Sequence, residues 1–206
     1  MKSRLWEGIR ILGLDISESE IQRLLSYSSL IEKWNKVYNL TSIRGMDKII
    51  SHHLLDSLAV LPHIDATRCA DVGSGAGLPG IPLAIARPGW SVTLVESNKK
   101  KAAFLRQACI ELGLSNVDVF PDRVENLVDP GFDLVISRAF SEIGEFIRLS
   151  GHLCEKGGCL ATLKGKYPEE ELSRLPAGIR AVKVVPLKVP GLQGARHLVI
   201  MKSESE

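Results

Sequence analysis

Asp71-Val72-Gly73-Ser74-Gly75-Ala76-Gly77-Leu78-Pro79-Gly80-Ile81-Pro82 constrains this chain more than any other stretch. An apolar run feeds it (Cys69, Ala70, Val72) and a helix-like run leaves it (Ile81, Leu83, Ala84, Ile85, Ala86). Glycines crowded at such a junction let the backbone turn sharply and let a ligand come close. Pro79 and Pro82 suit a helix's first turn, where a missing N–H costs nothing. Strand, glycine turn and helix start together predict a nucleotide-type site, with unpaired N–H groups at the helix N-terminus.

The rest of the chain is read by how it serves that loop. Residues 1–64 read as a helical extension. Ser17 and Glu20 form a capping box, and Ile21, Leu24, Leu25, Leu30, Ile31, Trp34 and Val37 follow at helical spacing. A second helix is expected from about Met46 to Leu61. From residue 65 the rhythm becomes strand–helix alternation. Expected strands are 68–73, 91–96, 116–120, 132–137 and 157–163; expected helices are 79–87, 98–113, 122–128, 141–154 and 168–175. That alternation predicts an α/β domain over 65–206 with a doubly wound, mostly parallel sheet. Two β-branched runs, 180–189 and 195–202, flank Pro190-Gly191-Leu192-Gln193-Gly194, so a hairpin should end the sheet with an antiparallel strand.

The loop fits two ligand classes. Gly75-x-Gly77-x-x-Gly80 spells the dinucleotide pattern, and Glu96 ends the next strand 19 positions after Gly77. Counted from the strand end, however, the turn is Gly73-x-Gly75-x-Gly77. Asp71, just before it, favours a ligand with an amino group and a sulfonium over a pyrophosphate. The antiparallel last strand points the same way. The balance favours an S-adenosyl-L-methionine site over a nicotinamide one, with the dinucleotide reading kept as the alternative.

Several stretches, in order, resemble the bacterial 16S ribosomal RNA guanine-N7 methyltransferases, the glucose-inhibited division protein B family. They are Tyr38-Asn39-Leu40-Thr41, His53-Leu54-Leu55-Asp56-Ser57-Leu58, the glycine loop, Arg123-Val124-Glu125, Ser137-Arg138-Ala139-Phe140 and Leu163-Lys164-Gly165. The resemblance implies a Rossmann-like class I S-adenosylmethionine methyltransferase acting on 16S rRNA, in a small ribosomal subunit or its precursor; a methyltransferase acting on another substrate, a protein or small molecule, is the first alternative. The resemblance implies that Gly73 and Leu78 line the cofactor site, followed by Glu96, Ser97 and Asn98 at the ribose and by Val124 and Glu125 at the adenine. It places Arg138 at the mouth of the site. Asp122 stands where the family often has glycine, and Glu96 where aspartate is frequent.

Arg138 and Lys164 each follow an apolar strand at its C-terminal end, where open α/β sheets bind ligands, so both are candidate catalytic residues. Asp71, Gly75, Gly77 and Arg138 itself complete the candidate cofactor set. His53 and Asp56 share a helix face and read as a hydrogen-bonded pair; without a third ligand no metal is expected. Trp34 and Tyr38 read as core. Lys99-Lys100-Lys101 reads equally as a solvated face or as a contact for RNA phosphate. A net charge of +2 does not announce a nucleic-acid binder, so any basic surface must be local. MKSRLWEGIR lacks the apolar core of a secretory leader, and no run approaches a membrane span. The four cysteines make no Cys-x-x-Cys and read as reduced thiols of a cytoplasmic protein.

Overall fold

The computed structural model describes residues 2–129, 131–138, 140 and 142–203. Helices α1 (Lys2–Ile11) and α2 (Glu18–Tyr38) come first. Then α3 (Met46–Ile49), a π-helical turn (Ile50–Leu55) and α4 (Asp56–Leu58) run on as one helical segment. Strands β1 (Arg68–Val72), β2 (Ser91–Val95), β3 (Val117–Phe120), β4 (Phe132–Ser137) and β5 (Cys154–Lys164) follow. Between and after them lie α5 (Gly80–Ala86), α6 (Lys99–Leu112), α7 (Ile143–Ser150) and α8 (Glu169–Leu172). The hairpin β6 (Ile179–Pro186) and β7 (His197–Ser203) closes the chain.

The seven strands form one sheet in the order β3-β2-β1-β4-β5-β7-β6. The first five are parallel, and β7 inserts antiparallel between β5 and β6. Strand order reverses at β1, so the crevice between β1 and β4 is the switch point at which such sheets take ligands.

Side chains alternate across the sheet with period two. Cys69, Leu134, Ile136, Leu198 and Ile200 join the core beneath α1 to α6. Ala70, Val72, Val135, Val199 and Met201 join a second core beneath α7 and α8. The larger core includes Leu5, Ile21, Leu24, Ile50 and Leu54, so the N-terminal helices pack in the same apolar cluster as the strands. The capping box at Ser17 is present, with both reciprocal bonds formed.

Several elements differ from expectation. The stretch 122–128 makes one 3-10 turn, Val124–Asn126. There Asp122 accepts hydrogen bonds from the Arg123 N–H and the Asn126 side chain, which offers the backbone an alternative to a helix. The helix expected over 141–154 ends at Ser150 and tightens into a 3-10 turn, Gly151–Leu153, while Ser141 lies outside the described residues. Strand β5 starts three residues early, with a register irregularity between Phe132 and Leu134. A Cβ at Gly158 would lie 3.0 Å from the Asp133 carbonyl oxygen, so the strands approach closely at that point. The segment 46–61 contains a π turn that apolar spacing did not reveal. Trp34 is half-buried against Phe104, but Tyr38 is 39% exposed and stacks on Trp34 at 5.2 Å; Tyr38 is therefore not core.

Candidate active site

The C-terminal ends of the parallel strands carry the expected residues. Gly73 follows β1, Glu96 follows β2, Arg138 follows β4 and Lys164 ends β5. The Ser137 hydroxyl donates to the Val72 carbonyl at 2.7 Å, tying the ends of β1 and β4 together across the switch point.

Gly73, Gly75 and Gly77 all have positive φ (71°, 60° and 87°), which explains glycine at each. Their surroundings differ. Nothing but a backbone oxygen at 3.9 Å lies near a Cβ built at Gly75, so this face is open for a ligand. A Cβ at Gly77 would stand 2.6 Å from Ile81 and 2.9 Å from Leu105, so Gly77 lets the loop seat on its own helices. Leu78 is buried but borders the open cavity. The loop is also anchored from the N-terminal helices, where the buried Tyr27 hydroxyl donates to the Ala76 carbonyl.

Asp71 lies behind the loop. It is fully buried, and its Oδ2 accepts from the Gly80 N–H at 2.9 Å. Burial pushes its carboxyl up to about 7, against the lowering effect of the Gly80 hydrogen bond and the nearby Ser74 hydroxyl. Its Oδ1 has no partner among the described residues. The α5 N-terminus therefore departs from expectation. Gly80 donates to Asp71, Ile81 to Gly77 and Leu83 to Pro79, and Pro82 has no N–H. An acidic side chain and a filled first turn leave no donors for a pyrophosphate, which removes the physical basis of the dinucleotide reading.

Glu96 is buried and bridges two segments. Its Oε2 accepts from Gly75 N at 2.8 Å and its Oε1 from Asn98 N at 2.7 Å. Each oxygen keeps a second lone pair, so the carboxylate can still accept from a diol. Ser97 and Asn98 are exposed, and the Asn98 side chain caps α6 by accepting from Lys100 N and Lys101 N.

Three cavities run along the strand ends. One of about 220 Å³ lies between Gly73, Ser97, Asp122, Val124, Glu125 and Phe140. The next, about 160 Å³, lies between Leu40, Thr41, the loop from Gly73 to Leu78, and Arg138. The third, about 400 Å³, is lined by Thr41, His53, Asp56, Arg138, Lys164 and Arg196. Gly73 is shared by the first two, and Thr41 and Arg138 by the last two, so they form one groove. A roomier hollow of about 630 Å³ opens near Cys154, Lys156 and Met201 at the opposite end of β5, away from every expected residue.

In the third cavity Arg138 donates to Asp56 Oδ2 at 3.1 Å and to the His52 carbonyl at 3.0 Å. Arg196 donates through Nε to Asp56 Oδ1 at 3.0 Å. The His53 and Asp56 side chains thus meet through Arg138 rather than bonding each other. His53 Nδ1 lies 3.5 Å from the Arg138 guanidinium, and Nε2 is 2.9 Å from the Thr41 hydroxyl. Burial, then the Arg138 charge, lowers the imidazole to about 4, so it is neutral at physiological pH. Lys164 lines the cavity, but its ammonium bonds Glu171 at 2.7 Å; Glu171 also accepts from Ile143 N. Lys164 therefore braces the segment after β4. Among the described residues no group of three His, Cys, Asp or Glu side chains could hold a metal.

Sequence reasoning missed Asp56 as an ion-pair centre, gave Thr41 no role beyond its place in a family motif, and missed Arg196 and Tyr27 altogether. One signal existed: a carboxylate inside the apolar run Leu54-Leu55-Asp56-Ser57-Leu58 needs a buried partner. Arg196, at the end of the hairpin loop, carried none.

Known proteins resemble this chain in sequence and in fold. The family model GidB, rRNA small subunit methyltransferase G, matches residues 20–199. Ribosomal RNA small subunit methyltransferase G of Nitrosospira multiformis is 54% identical, covering 97% of this chain and 96% of that protein. Its namesake from Neisseria meningitidis is 53% identical, covering 97% of each. Among solved structures, the O-methyltransferase TomG from Streptomyces achromogenes, in complex with SAM, superposes with a TM-score of 0.58 at 18% identity, covering 93% of this chain and 92% of that one. TrmN from Thermus thermophilus gives 0.57 at 19% identity, covering 82% of this chain and 53% of that one. These structures share the fold, and the sequence matches span the glycine loop, the arginine pair and the hairpin alike: the chain belongs to the GidB family of rRNA small subunit methyltransferases.

Proposed function

We propose that this protein transfers a methyl group from S-adenosyl-L-methionine to the N7 atom of a guanine in 16S ribosomal RNA, within a small subunit or its precursor. The continuous groove carries this reading: an open glycine loop and a buried carboxylate at one end, two arginines at the other, and Arg138 where they meet. The family's name supplies the rRNA, and the resemblance supplies the N7 atom.

The residues present fit the cofactor. Gly73, Gly75 and Leu78 border the space for its amino-acid part. Glu96 offers acceptor lone pairs for ribose hydroxyls, with Ser97 and Asn98 beside it, and Val124 and Glu125 border the space for the base. Asp71 and Gly77 shape the loop from behind. When bound, the cofactor supplies a methyl group on a sulfonium.

Guanine N7 carries an unprotonated lone pair on its major-groove edge, so the chain need not supply a general base. Its work is alignment, which can lower a barrier by on the order of 7–11 kcal/mol when reacting atoms are held in line. Arg138 stands at the junction where the two substrates meet, and Lys164 fixes the segment that carries it. A base reaches such a groove only when unstacked or already single-stranded. Small subunits are the expected substrate, which places the enzyme in the cytoplasm; among the described residues no helix is long and apolar enough to cross a membrane.

Incubation with methyl-labelled cofactor and either purified small subunits or bulk cell protein tests the reading. Label must enter RNA and elute as 7-methylguanosine after digestion. Label confined to protein overturns it.

A further inference from the structure

Asp56 is the most deeply placed charge in the groove. Its side chain is 2% exposed, yet each carboxylate oxygen meets a different arginine. The two arginines come from distant places: Arg138 just after β4, and Arg196 just before β7. Each remains partly open to the cavity, with 23% and 29% of its side chain exposed. Arg138 is further fixed by the His52 carbonyl, and Arg196 by the Ala195 carbonyl at 3.2 Å. His53 beside them is neutral. One carboxylate against two guanidiniums leaves a single net positive charge at this end of the groove.

The backbone explains how a carboxylate comes to lie there. Asp56 follows directly on the π turn Ile50–Leu55, and its N–H closes on the His53 carbonyl. Such turns re-aim side chains and recur at functional sites. His52 and His53 from this turn, and Asp56 directly after it, all reach Arg138.

We propose that Asp56 is a positioning residue that clamps Arg138 and Arg196 into one rigid donor pair, and that this pair holds an oxygen acceptor of the incoming guanine nucleotide. This rests on the methyl-transfer reading above. The acceptor is either O6, which guanine presents next to N7 and where adenine carries an amino donor, or a backbone phosphate. Both take the same guanidinium chemistry. Clamping matters because a free arginine keeps many rotamers, and alignment is what this reaction needs. Asp56 itself lines only the third cavity, and Arg138, which it holds, borders both that and the cofactor cavity. Because Arg196 and the Asp56 carboxylate face the third cavity alone, the main loss should fall in the RNA-dependent step.

The test uses the full chain with Asp56→Asn and Arg196→Gln, singly and together. Cofactor affinity is read by calorimetry, and methyl transfer by label incorporation into small subunits that wild type must first modify. If wild type fails, the functional reading falls; the clamp is judged only against an active wild type. Asp56→Asn should bind S-adenosyl-L-methionine within about twofold of wild type while transfer per enzyme falls by about 30-fold or more. In the Arg196→Gln background the same change should cost much less, because residues acting as a unit are not additive. A variant that transfers methyl groups within about threefold of wild type, or a loss shared equally between cofactor affinity and transfer, overturns the proposal. So does full additivity of the two substitutions. Should Asp56→Asn fail to fold, Asp56→Glu keeps the charge but displaces the pair, and the same two readouts decide. The salt dependence of the KM for small subunits then separates the acceptors: Arg196→Gln reduces the slope if a phosphate is held and leaves it unchanged if O6 is held.

Discussion

At the scale of single residues, Glu96, Asp56, Arg138, Lys164 and Arg196 each have a fixed partner. Glu96 shows why the role matters more than the residue type. Its two oxygens tie the glycine loop to the start of α6 and still have lone pairs to spare. Glu96→Ala removes both the ties and the acceptor, and should weaken cofactor binding about 10- to 100-fold by calorimetry; unchanged affinity would remove Glu96 from the cofactor's surroundings. His53 gives a pH test with a definite sign. Its imidazole is lowered from 6.5 to about 4 in the folded state, so unfolded chains bind the proton first. The stability it contributes is complete above 6.5 and is lost as pH falls toward 4, about 3 kcal/mol in all. Denaturant unfolding of wild type and His53→Gln should therefore show a stability difference that shrinks by that amount between pH 7 and 4. Parallel curves would mean that the imidazole titrates normally. The strand-end residues Gly73, Glu96, Arg138 and Lys164 were legible in the sequence because each follows an apolar run. The carboxylate–arginine centre was not, because Asp56 and Arg196 are 140 residues apart and only the finished sheet brings them together.

At the scale of elements, local chemistry was most readable where it acts alone. The Ser17–Glu20 capping box appears as read, and Ser17→Ala should cost about 1 kcal/mol in thermal or chemical unfolding. A loss near zero would show that tertiary packing alone sets the start of α2. The terminal hairpin was readable from its β-branched runs and the glycine-rich link. The π turn was not, since one inserted residue leaves the apolar spacing almost unchanged while rotating everything after it. The α5 N-terminus misled for a related reason. Its glycines and prolines suggest free donors, but Asp71, Gly77 and Pro79 fill them, and only the three-dimensional turn shows that.

At the scale of the whole molecule, the division at residue 64 separates element types rather than cores. Leu5, Leu24 and Leu54 pack in one apolar cluster with Leu94, Leu134 and Leu198, and Tyr27 bonds the glycine loop. The helical extension also supplies Leu40, Thr41, His53 and Asp56 to the groove. Both parts of the chain thus line the groove along its length at the β1–β4 crevice. That continuity underlies the central claim: one groove aligns a sulfonium methyl with a guanine N7. Mass spectrometry of 16S rRNA from a strain lacking this protein, before and after incubating its small subunits with pure enzyme and S-adenosyl-L-methionine, tests it most directly. One 7-methylguanine should be absent at first and restored by the enzyme. A full complement of 7-methylguanine in the deletion strain, or a restored methyl group at any other atom, would contradict it.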